Sequence, residues 1–191
     1  MVKKLSLNIV ILFVFAFSLV LTACGGGQEG VESSRSESSA ASTETSSDNQ
    51  VHDFTLKDFN GNEFTLSSLK GKPILLDFWA SWCPPCKKAM PFLPSLDKKY
   101  RDQGFVLIGV NLDRNVDIPA FRQLLDKYDV EYKNVVALGS NVPREYGVTA
   151  MPTTVLINPG FEEVMRFVGL NPSAEKQLEE KIKELLAAEE V

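Results

Sequence analysis

One run of this chain restricts its fold more than any other: residues 74–80 are apolar except for Asp77. A run of this length with a single polar member predicts a strand buried on both faces, which needs other elements packed on both sides of its sheet. Two cysteines, Cys83 and Cys86, follow almost directly and are separated by two prolines. They therefore stand where a buried strand gives way to a helix predicted over residues 84–100.

Hydrophobic periodicity and turn residues predict the remaining elements. Asn60-Gly61 between two alternating runs predicts an opening β-hairpin. Pro91 predicts a kink in the helix over residues 84–100, because proline removes a helical hydrogen bond. The other predicted elements are strands over residues 105–112, 135–138, 153–157 and 163–168 and helices that begin near Ile118 and Pro172. This alternation predicts one α/β domain over residues 51–191, a three-layer α/β/α sandwich with a central mixed sheet.

The N-terminal residues predict an export signal. Lys3 and Lys4 precede a run over residues 9–21 whose only polar member is Ser18, which is the pattern of a secretory signal peptide. A helix of this length rises about 20 Å, less than the roughly 30 Å of a bilayer's hydrocarbon core. We therefore favour a cleaved signal peptide over residues 1–23 and not an uncleaved membrane anchor.

Residues 21–24, Leu-Thr-Ala-Cys, resemble the bacterial lipobox. The resemblance implies cleavage before Cys24 and acylation of this cysteine, so that the protein is held at the cell membrane as an extracytoplasmic lipoprotein. The alternative is an ordinary signal-peptidase site at which the cysteine is incidental. Residues 24–50 are rich in Gly, Ser, Thr and Glu, which predicts a disordered tether between the lipidated cysteine and the domain.

Charge and ligand count exclude other classes of protein. The formal net charge is −5 and no basic stripe is present, so nucleic acid is not an expected partner. A C-x-x-C pair also occurs in metal sites, but a closed zinc site needs four ligands. The chain has no second such pair and a single histidine, His52. We expect no metal and no cofactor other than a redox-active Cys83–Cys86 disulfide.

The placement of the two cysteines favours thiol chemistry. The start of a helix carries a partial positive charge, which stabilises a thiolate and lowers the pKa of a cysteine at that position. We therefore expect Cys83 to be a nucleophile. Cys86, three residues further along the same helix, is within bonding reach and can resolve a mixed disulfide formed on Cys83.

The stretch over residues 77–87 resembles the active-site signature of the thioredoxin superfamily. Pro91 matches the helix kink of that family and Met151-Pro152 its cis-proline loop. The opening hairpin and the lipobox narrow the resemblance to the TlpA/ResA-like lipoproteins of the AhpC/TSA-like branch, over about residues 51–188. The resemblance implies a thioredoxin-like fold and a thiol-disulfide oxidoreductase. The expected reaction is reduction of protein disulfides, in cytochrome c maturation or a similar process.

The resemblance also implies roles for single residues. Asp77 is expected to be a buried acid that accepts the Cys86 proton, and a solvated aspartate at a strand edge is the alternative. A cis Pro152 is expected to let the backbone of Met151 pair with an extended substrate peptide, and an ordinary trans turn is the alternative. Trp79 is expected in the core. The expected substrate contacts are Trp82, Pro84, Pro85, Met151 and Pro152.

Two positions depart from the family pattern. Gly109 stands where many thioredoxins have a lysine partner for the buried acid, so proton transfer is expected to be tuned differently. Ala89 stands where many TlpA/ResA-like proteins have a glutamate, which weakens the case for an apocytochrome c substrate.

The expected partners are a disulfide-bearing protein substrate and a membrane thiol transporter that supplies electrons, and the protein is expected to be a monomer. Two alternatives stay open. One is a redox-passive binding module with the same fold. The other is a thiol peroxidase of the AhpC/TSA type, which shares the hairpin and the first buried strand, although residues 80–82 lack the threonine that precedes a peroxidatic cysteine.

Overall fold

The computed structural model of the protein describes residues 49–188. The predicted signal peptide, Cys24 and the predicted tether up to residue 48 lie outside the described residues. Within residues 49–188, no helix has both the length and the apolar character that crossing a membrane requires.

A seven-stranded mixed sheet forms the centre of the domain. Its strands are β1 (Thr55–Asp58), β2 (Glu63–Thr65), β3 (Ile74–Trp79), β4 (Val106–Asn111), β5 (Lys133–Val136), β6 (Thr153–Ile157) and β7 (Glu163–Val168). They lie in the order β2-β1-β5-β4-β3-β6-β7, with β3, β4 and β5 parallel. All six residues of β3 are buried, so the prediction of a strand covered on both faces is confirmed. The opening hairpin and the β6–β7 hairpin are also found as predicted.

The α-helices are α1 (Pro84–Ala89), α2 (Phe92–Tyr100), α3 (Ile118–Lys127), α4 (Val142–Glu145) and α5 (Pro172–Ala187). All but the short α4 begin beside a proline that the sequence analysis identifies or beside a residue whose side chain caps the helix. Pro91 separates α1 from α2 and accounts for the predicted kink. The side chain of Asp117 caps α3 and that of Asn171 caps α5, because each accepts hydrogen bonds from backbone N–H groups in the first turn.

The two faces of the sheet are covered unequally. Alternate residues of a strand point to opposite faces, and on one face Leu75 and Trp79 pack with side chains from α1, α2, α3 and α5. On the other face Leu76 and Phe78 pack with the opening hairpin and with α4. The three-layer prediction is confirmed, but the second helical layer is reduced to α4 and a 3₁₀ turn over Leu66–Leu69.

Two local features differ from the prediction. β5 begins at Lys133 and not at Val135, because two polar residues at its start hide the strand pattern. Leu138, which was predicted to end this strand, lies beyond it and is 54% exposed. The short helix α4 was not predicted, since four residues are too few to show a helical period.

The chain joins the domain at the edge of β7. Gln50 forms an isolated antiparallel bridge with Glu162, and the backbone N–H of Glu163 donates to the carbonyl of Asn49 at 3.0 Å. The last two residues of the predicted tether therefore already pair with the domain. The register of β6 and β7 places this junction level with Ile74, at the start of β3.

Candidate active site

The two cysteines of the C-x-x-C motif lie where β3 ends and α1 begins, and they form a disulfide with Cα atoms 5.3 Å apart. Cys83 is the N-cap of α1, and its sulfur accepts a hydrogen bond from the backbone N–H of Cys86 at 3.2 Å. Pro84 and Pro85 fill the first helical positions, where a missing N–H removes no helical hydrogen bond. The Cys86 N–H is thus aimed at the Cys83 sulfur, and a donor in this position stabilises a thiolate.

The disulfide is recessed beneath an exposed rim. Cys83 is 4% exposed and Cys86 is 3% exposed, whereas the two prolines between them are exposed. Trp82 projects from the rim with 63% of its surface exposed, and Trp79 is buried in the cluster that contains both cysteines. The predicted difference between the two tryptophans, one in the core and one at the surface, is confirmed.

The loop before β6 packs against the disulfide. The peptide bond between Met151 and Pro152 is cis, and Met151 packs against the cluster that contains Cys83 and Cys86. The carbonyl of Pro152 accepts a hydrogen bond from the N–H of Gly169 at 2.7 Å, which joins the loop to the end of β7. The expected cis-proline loop is therefore present, and the alternative of a trans turn is wrong.

Asp113, which the sequence analysis did not identify, holds the loop that precedes Cys83. Its carboxylate accepts hydrogen bonds from the backbone N–H of Ser81 at 2.8 Å and from the Ser81 hydroxyl at 2.9 Å. The side-chain amide of Asn111 donates to the same carboxylate at 2.7 Å. Asp113 is 3% exposed and Asn111 is 0% exposed. Two polar residues at the end of a buried strand are the signal by which they could have been found.

Asp77 lies in β3 and points to the same face as Trp79, two residues further on, which packs with Cys86. It is 3% exposed, and its Oδ1 has no hydrogen-bond partner within the described part of the chain. Burial raises the pKa of this carboxyl from 3.8 to about 7. Asp77 is thus a buried acid, and the alternative of a solvated aspartate is wrong.

Gly109 faces Asp77 from β4, and its lack of a side chain is required by packing. The side-chain oxygen of Asn134 fills the space beside it and accepts a hydrogen bond from the indole N–H of Trp79 at 3.0 Å. A Cβ atom at position 109 would overlap with Asn134 and press on Trp79. A lysine partner for Asp77 therefore has no room at this position.

The large hydrophobic side chains that are exposed within residues 49–188 lie at one end of the sheet. They are Trp82, Leu138 and Val168, with 63%, 54% and 61% of their surfaces exposed. Trp82 follows β3, Leu138 follows β5, and Val168 ends β7 opposite Thr153. These positions place all three at the end of the sheet that carries Cys83.

Proteins of similar sequence and structure are named as thiol-disulfide oxidoreductases or thiol:disulfide interchange proteins. Residues 48–162 match the AhpC/TSA family. Thiol-disulfide oxidoreductase ResA of Halalkalibacterium halodurans is 34% identical over 140 residues, which are 73% of this chain and 77% of that protein. ResA of Bacillus subtilis is 38% identical over 106 residues, which are 56% of this chain and 58% of that protein. A crystal structure from Chlorobium tepidum, provisionally assigned as thiol:disulfide interchange protein DsbE, has a TM-score of 0.66 and 33% identity and covers 72% of this chain and 96% of its own.

Proposed function

The chain belongs to the AhpC/TSA family as a ResA-like member, and we propose that it is a thiol-disulfide oxidoreductase that reduces disulfide bonds of proteins outside the cytoplasm. The observation that carries this proposal is the bonded Cys83–Cys86 pair, which lies at a helix start and against a cis-proline loop. A dithiol that closes on itself can exchange with another disulfide in two steps, because one sulfur attacks and the other resolves.

In the first step, the thiolate of Cys83 in the reduced protein attacks one sulfur of a substrate disulfide. A bond forms between the Cys83 Sγ and that sulfur, the substrate disulfide breaks, and the other substrate sulfur leaves as a thiolate. The N–H of Cys86 stabilises the attacking thiolate. Asp113 fixes the loop that presents Cys83, because it holds both the backbone and the hydroxyl of Ser81.

In the second step, Cys86 attacks the Cys83 Sγ. The mixed disulfide breaks, the remaining substrate sulfur leaves as a thiolate, and the Cys83–Cys86 disulfide forms. Two electrons have then passed from the dithiol to the substrate. Asp77 accepts the proton that Cys86 loses, since a carboxyl with a pKa of about 7 is partly ionised at neutral pH and is suited to take up a proton and release it.

An extended segment of the substrate is proposed to lie along the cis-proline loop. Its backbone pairs with that of Met151, as in other cases of strand addition. Its side chains contact Trp82, Pro84, Pro85 and Pro152. The exposed indole of Trp82 and the packing of Met151 against the cysteine cluster support this arrangement.

The N-terminal sequence supports the proposed location, and the chemistry of the dithiol supports the proposed partners. The lipobox-like residues 21–24 support acylation of Cys24 and attachment to the outer face of the cell membrane. Outside the cytosol an oxidised dithiol needs an electron source, so a membrane thiol donor is the proposed partner. Cytochrome c maturation, or another process that needs free protein thiols, is the proposed setting. The domain acts as a monomer without a further cofactor.

An insulin-reduction assay on the purified protein tests the proposal. The wild-type protein is expected to speed the reduction of insulin disulfides by dithiothreitol, and Cys83→Ser is expected to abolish this activity. Cys86→Ser is expected to retain the first step and to accumulate a mixed disulfide that mass spectrometry detects. Wild-type rates of insulin reduction by Cys83→Ser would falsify the assignment.

A thiol peroxidase is the second candidate, because the matched family is AhpC/TSA. Consumption of hydrogen peroxide by the reduced protein separates the two activities. Slow peroxide consumption beside rapid insulin reduction is expected, and the reverse result would favour the peroxidase. Titration of the dithiol in glutathione buffers then decides the direction of exchange, since a strongly oxidising potential would exclude a reductase.

A further inference from the structure

Two buried polar atoms on neighbouring strands have no hydrogen-bond partner within residues 49–188. They are the Asp77 Oδ1 and the Thr154 Oγ1. Asp77 is 3% exposed and Thr154 is 1% exposed. A buried polar group without a partner is uncommon in native proteins and calls for an explanation. Here the two groups are also complementary, because a hydroxyl donates and a carboxylate accepts.

The register of the sheet places these residues directly opposite each other. Asp77 on β3 pairs with Thr154 on the antiparallel strand β6. Directly opposite residues of an antiparallel pair point to the same face, with Cβ atoms about 4.5–5.5 Å apart. A threonine in a strand has more than one accessible χ1 rotamer. At this separation, rotation about χ1 of Thr154 can bring its hydroxyl within hydrogen-bond reach of the carboxylate without movement of the backbone.

Within residues 49–188, no other neighbour donates a hydrogen bond to the Asp77 Oδ1. Gly109, its neighbour on β4, has no side chain. The side chain of Asn134 accepts from the indole N–H of Trp79 and donates one N–H to the carbonyl of Tyr132. The ionisable side chains on the face that Asp77 shares include Tyr132 before β5 and Asp97 on α2, and Cys86 on α1 joins them when the disulfide is reduced. Burial raises the pKa of Tyr132, and the charges of Asp77 and of Asp97 on α2 add to this effect.

We propose that Thr154 is a positioning residue of the dithiol reaction: its hydroxyl donates a hydrogen bond to Asp77 when this carboxyl is ionised, and it thereby sets the pH above which Asp77 accepts the Cys86 proton. The inference rests on the proposed role of Asp77 as proton acceptor. The step conserves atoms and charge: the thiol of Cys86 loses a proton, the carboxylate of Asp77 gains it, and the Thr154 hydroxyl keeps its own proton throughout.

The direct test is a carbon-13 NMR titration of the Asp77 carboxyl in the oxidised protein. Thr154→Val keeps the shape of the side chain and removes the hydroxyl, so the ionised form of Asp77 loses its donor. The pKa of Asp77 is expected to rise by about one unit, because a hydrogen bond to a charged group contributes on this scale. Thr154→Ser restores a hydroxyl and is expected to return the pKa to the wild-type value.

Thr153→Val is the matched control. Thr153 is also buried, but it points to the opposite face of β6 and its hydroxyl donates to the carbonyl of Ala150 at 2.7 Å. Its substitution is expected to leave the Asp77 titration unchanged. If Thr154→Val does not fold, Thr154→Ala gives the same comparison with Thr154→Ser. Identical Asp77 titrations in the wild type, in the variant without a hydroxyl and in Thr154→Ser would overturn the proposal.

A kinetic test then addresses the reaction itself. Reduced protein mixed with dithionitrobenzoate releases one coloured thiolate when Cys83 attacks and a second when Cys86 resolves the adduct. The rate of the second phase is expected to fall at acid pH, and in Thr154→Val this fall is expected to occur about one pH unit higher. In an Asp77→Asn background, Thr154→Val is expected to have no further effect on this rate. An NMR shift without this kinetic shift would overturn the role in the reaction. The trapping of substrate by Cys86→Ser tests the proposed function separately. Failure of the Thr154 proposal can therefore be told apart from failure of the proposed function.

Discussion

The side-chain oxygen of Asn134 occupies the space that a side chain at Gly109 would need, and it is held there by the indole N–H of Trp79. This packing removes the position from which a cation could reach Asp77 across the sheet. Burial is therefore the cause of the raised Asp77 pKa that the structure shows. The proton transfer proposed for Asp77 therefore takes place without a lysine at position 109.

Gly109→Ala is expected to destabilise the oxidised protein by about 1–3 kcal/mol, because an added methyl in a packed site forces its neighbours to move. Urea unfolding measures the change. The cost of combining Gly109→Ala with Asn134→Ala is expected to be smaller than the sum of the two single costs, since removal of the Asn134 amide makes room for the methyl. Additive costs would contradict this account of the packing.

Asp113→Ala is expected to loosen the loop before Cys83 and to destabilise the protein by about 1–3 kcal/mol, because buried donors of Ser81 and Asn111 lose their acceptor. The rate at which reduced protein attacks dithionitrobenzoate is expected to fall as well. Ser81→Ala is the milder control, since it removes one hydrogen bond and keeps the backbone one. Unchanged stability and unchanged rate in Asp113→Ala would refute the positioning role.

The stability of the oxidised protein is expected to depend on pH through Asp77. Its folded pKa of about 7 is above its ordinary value of 3.8, so the folded state holds the proton more tightly than the unfolded state does. The free energy of unfolding that this group contributes is therefore present below about pH 4 and is lost as the pH rises to about 7. About three pKa units at about 1.4 kcal/mol each correspond to a loss of up to about 4 kcal/mol.

Asp77→Asn isolates this effect. The variant lacks the ionisation, so its free energy of unfolding is expected to fall less than that of the wild type between pH 4 and pH 8. Urea unfolding of both oxidised proteins at several pH values measures the difference, and all other titrating groups cancel in the comparison. Parallel pH dependences for the two proteins would show that Asp77 does not titrate in this range.

Trp82→Ala is expected to slow the reduction of a protein disulfide by about tenfold, since an exposed tryptophan beside a reactive group is a strong anchor for a bound chain. Its effect on stability is expected to stay within about 0.5 kcal/mol, because the side chain is largely exposed. Reduction of the small disulfide dithionitrobenzoate serves as the control and should be nearly unchanged. Equal slowing with both substrates would assign Trp82 to the reactivity of the dithiol and not to substrate contact.

The parts of the site that could be predicted are those whose signals lie close together in the sequence. The strand, the turn and the helix around Cys83 carry their own signals within a short stretch, in the apolar run, the C-x-x-C spacing and Pro91. The burial of Asp77 follows from its apolar flanks. The β6–β7 hairpin was predicted with the observed bounds, because Asn158-Pro159-Gly160 marks the turn between two strand-forming runs.

The parts that could not be predicted depend on contacts between distant residues. Trp79 and Asn134 are 55 positions apart, and Ser81 and Asp113 are 32 positions apart. Nothing local in either pair indicates the partner. The start of β5 was missed for the same reason, since Lys133 and its polar neighbour become part of a strand through pairing with the adjacent strand β4.

The bridge between Gln50 and Glu162 places the N-terminal entry of the domain and its two cysteines at opposite ends of the sheet. It lies at the end of the sheet where β3 begins, whereas Cys83 follows the other end of this strand. Six residues of extended chain separate the two ends, a span of about 20 Å. If the protein is anchored through its N-terminus as proposed, the anchor reaches the domain at the end opposite the two sulfurs and leaves the Cys83 end open to a substrate protein.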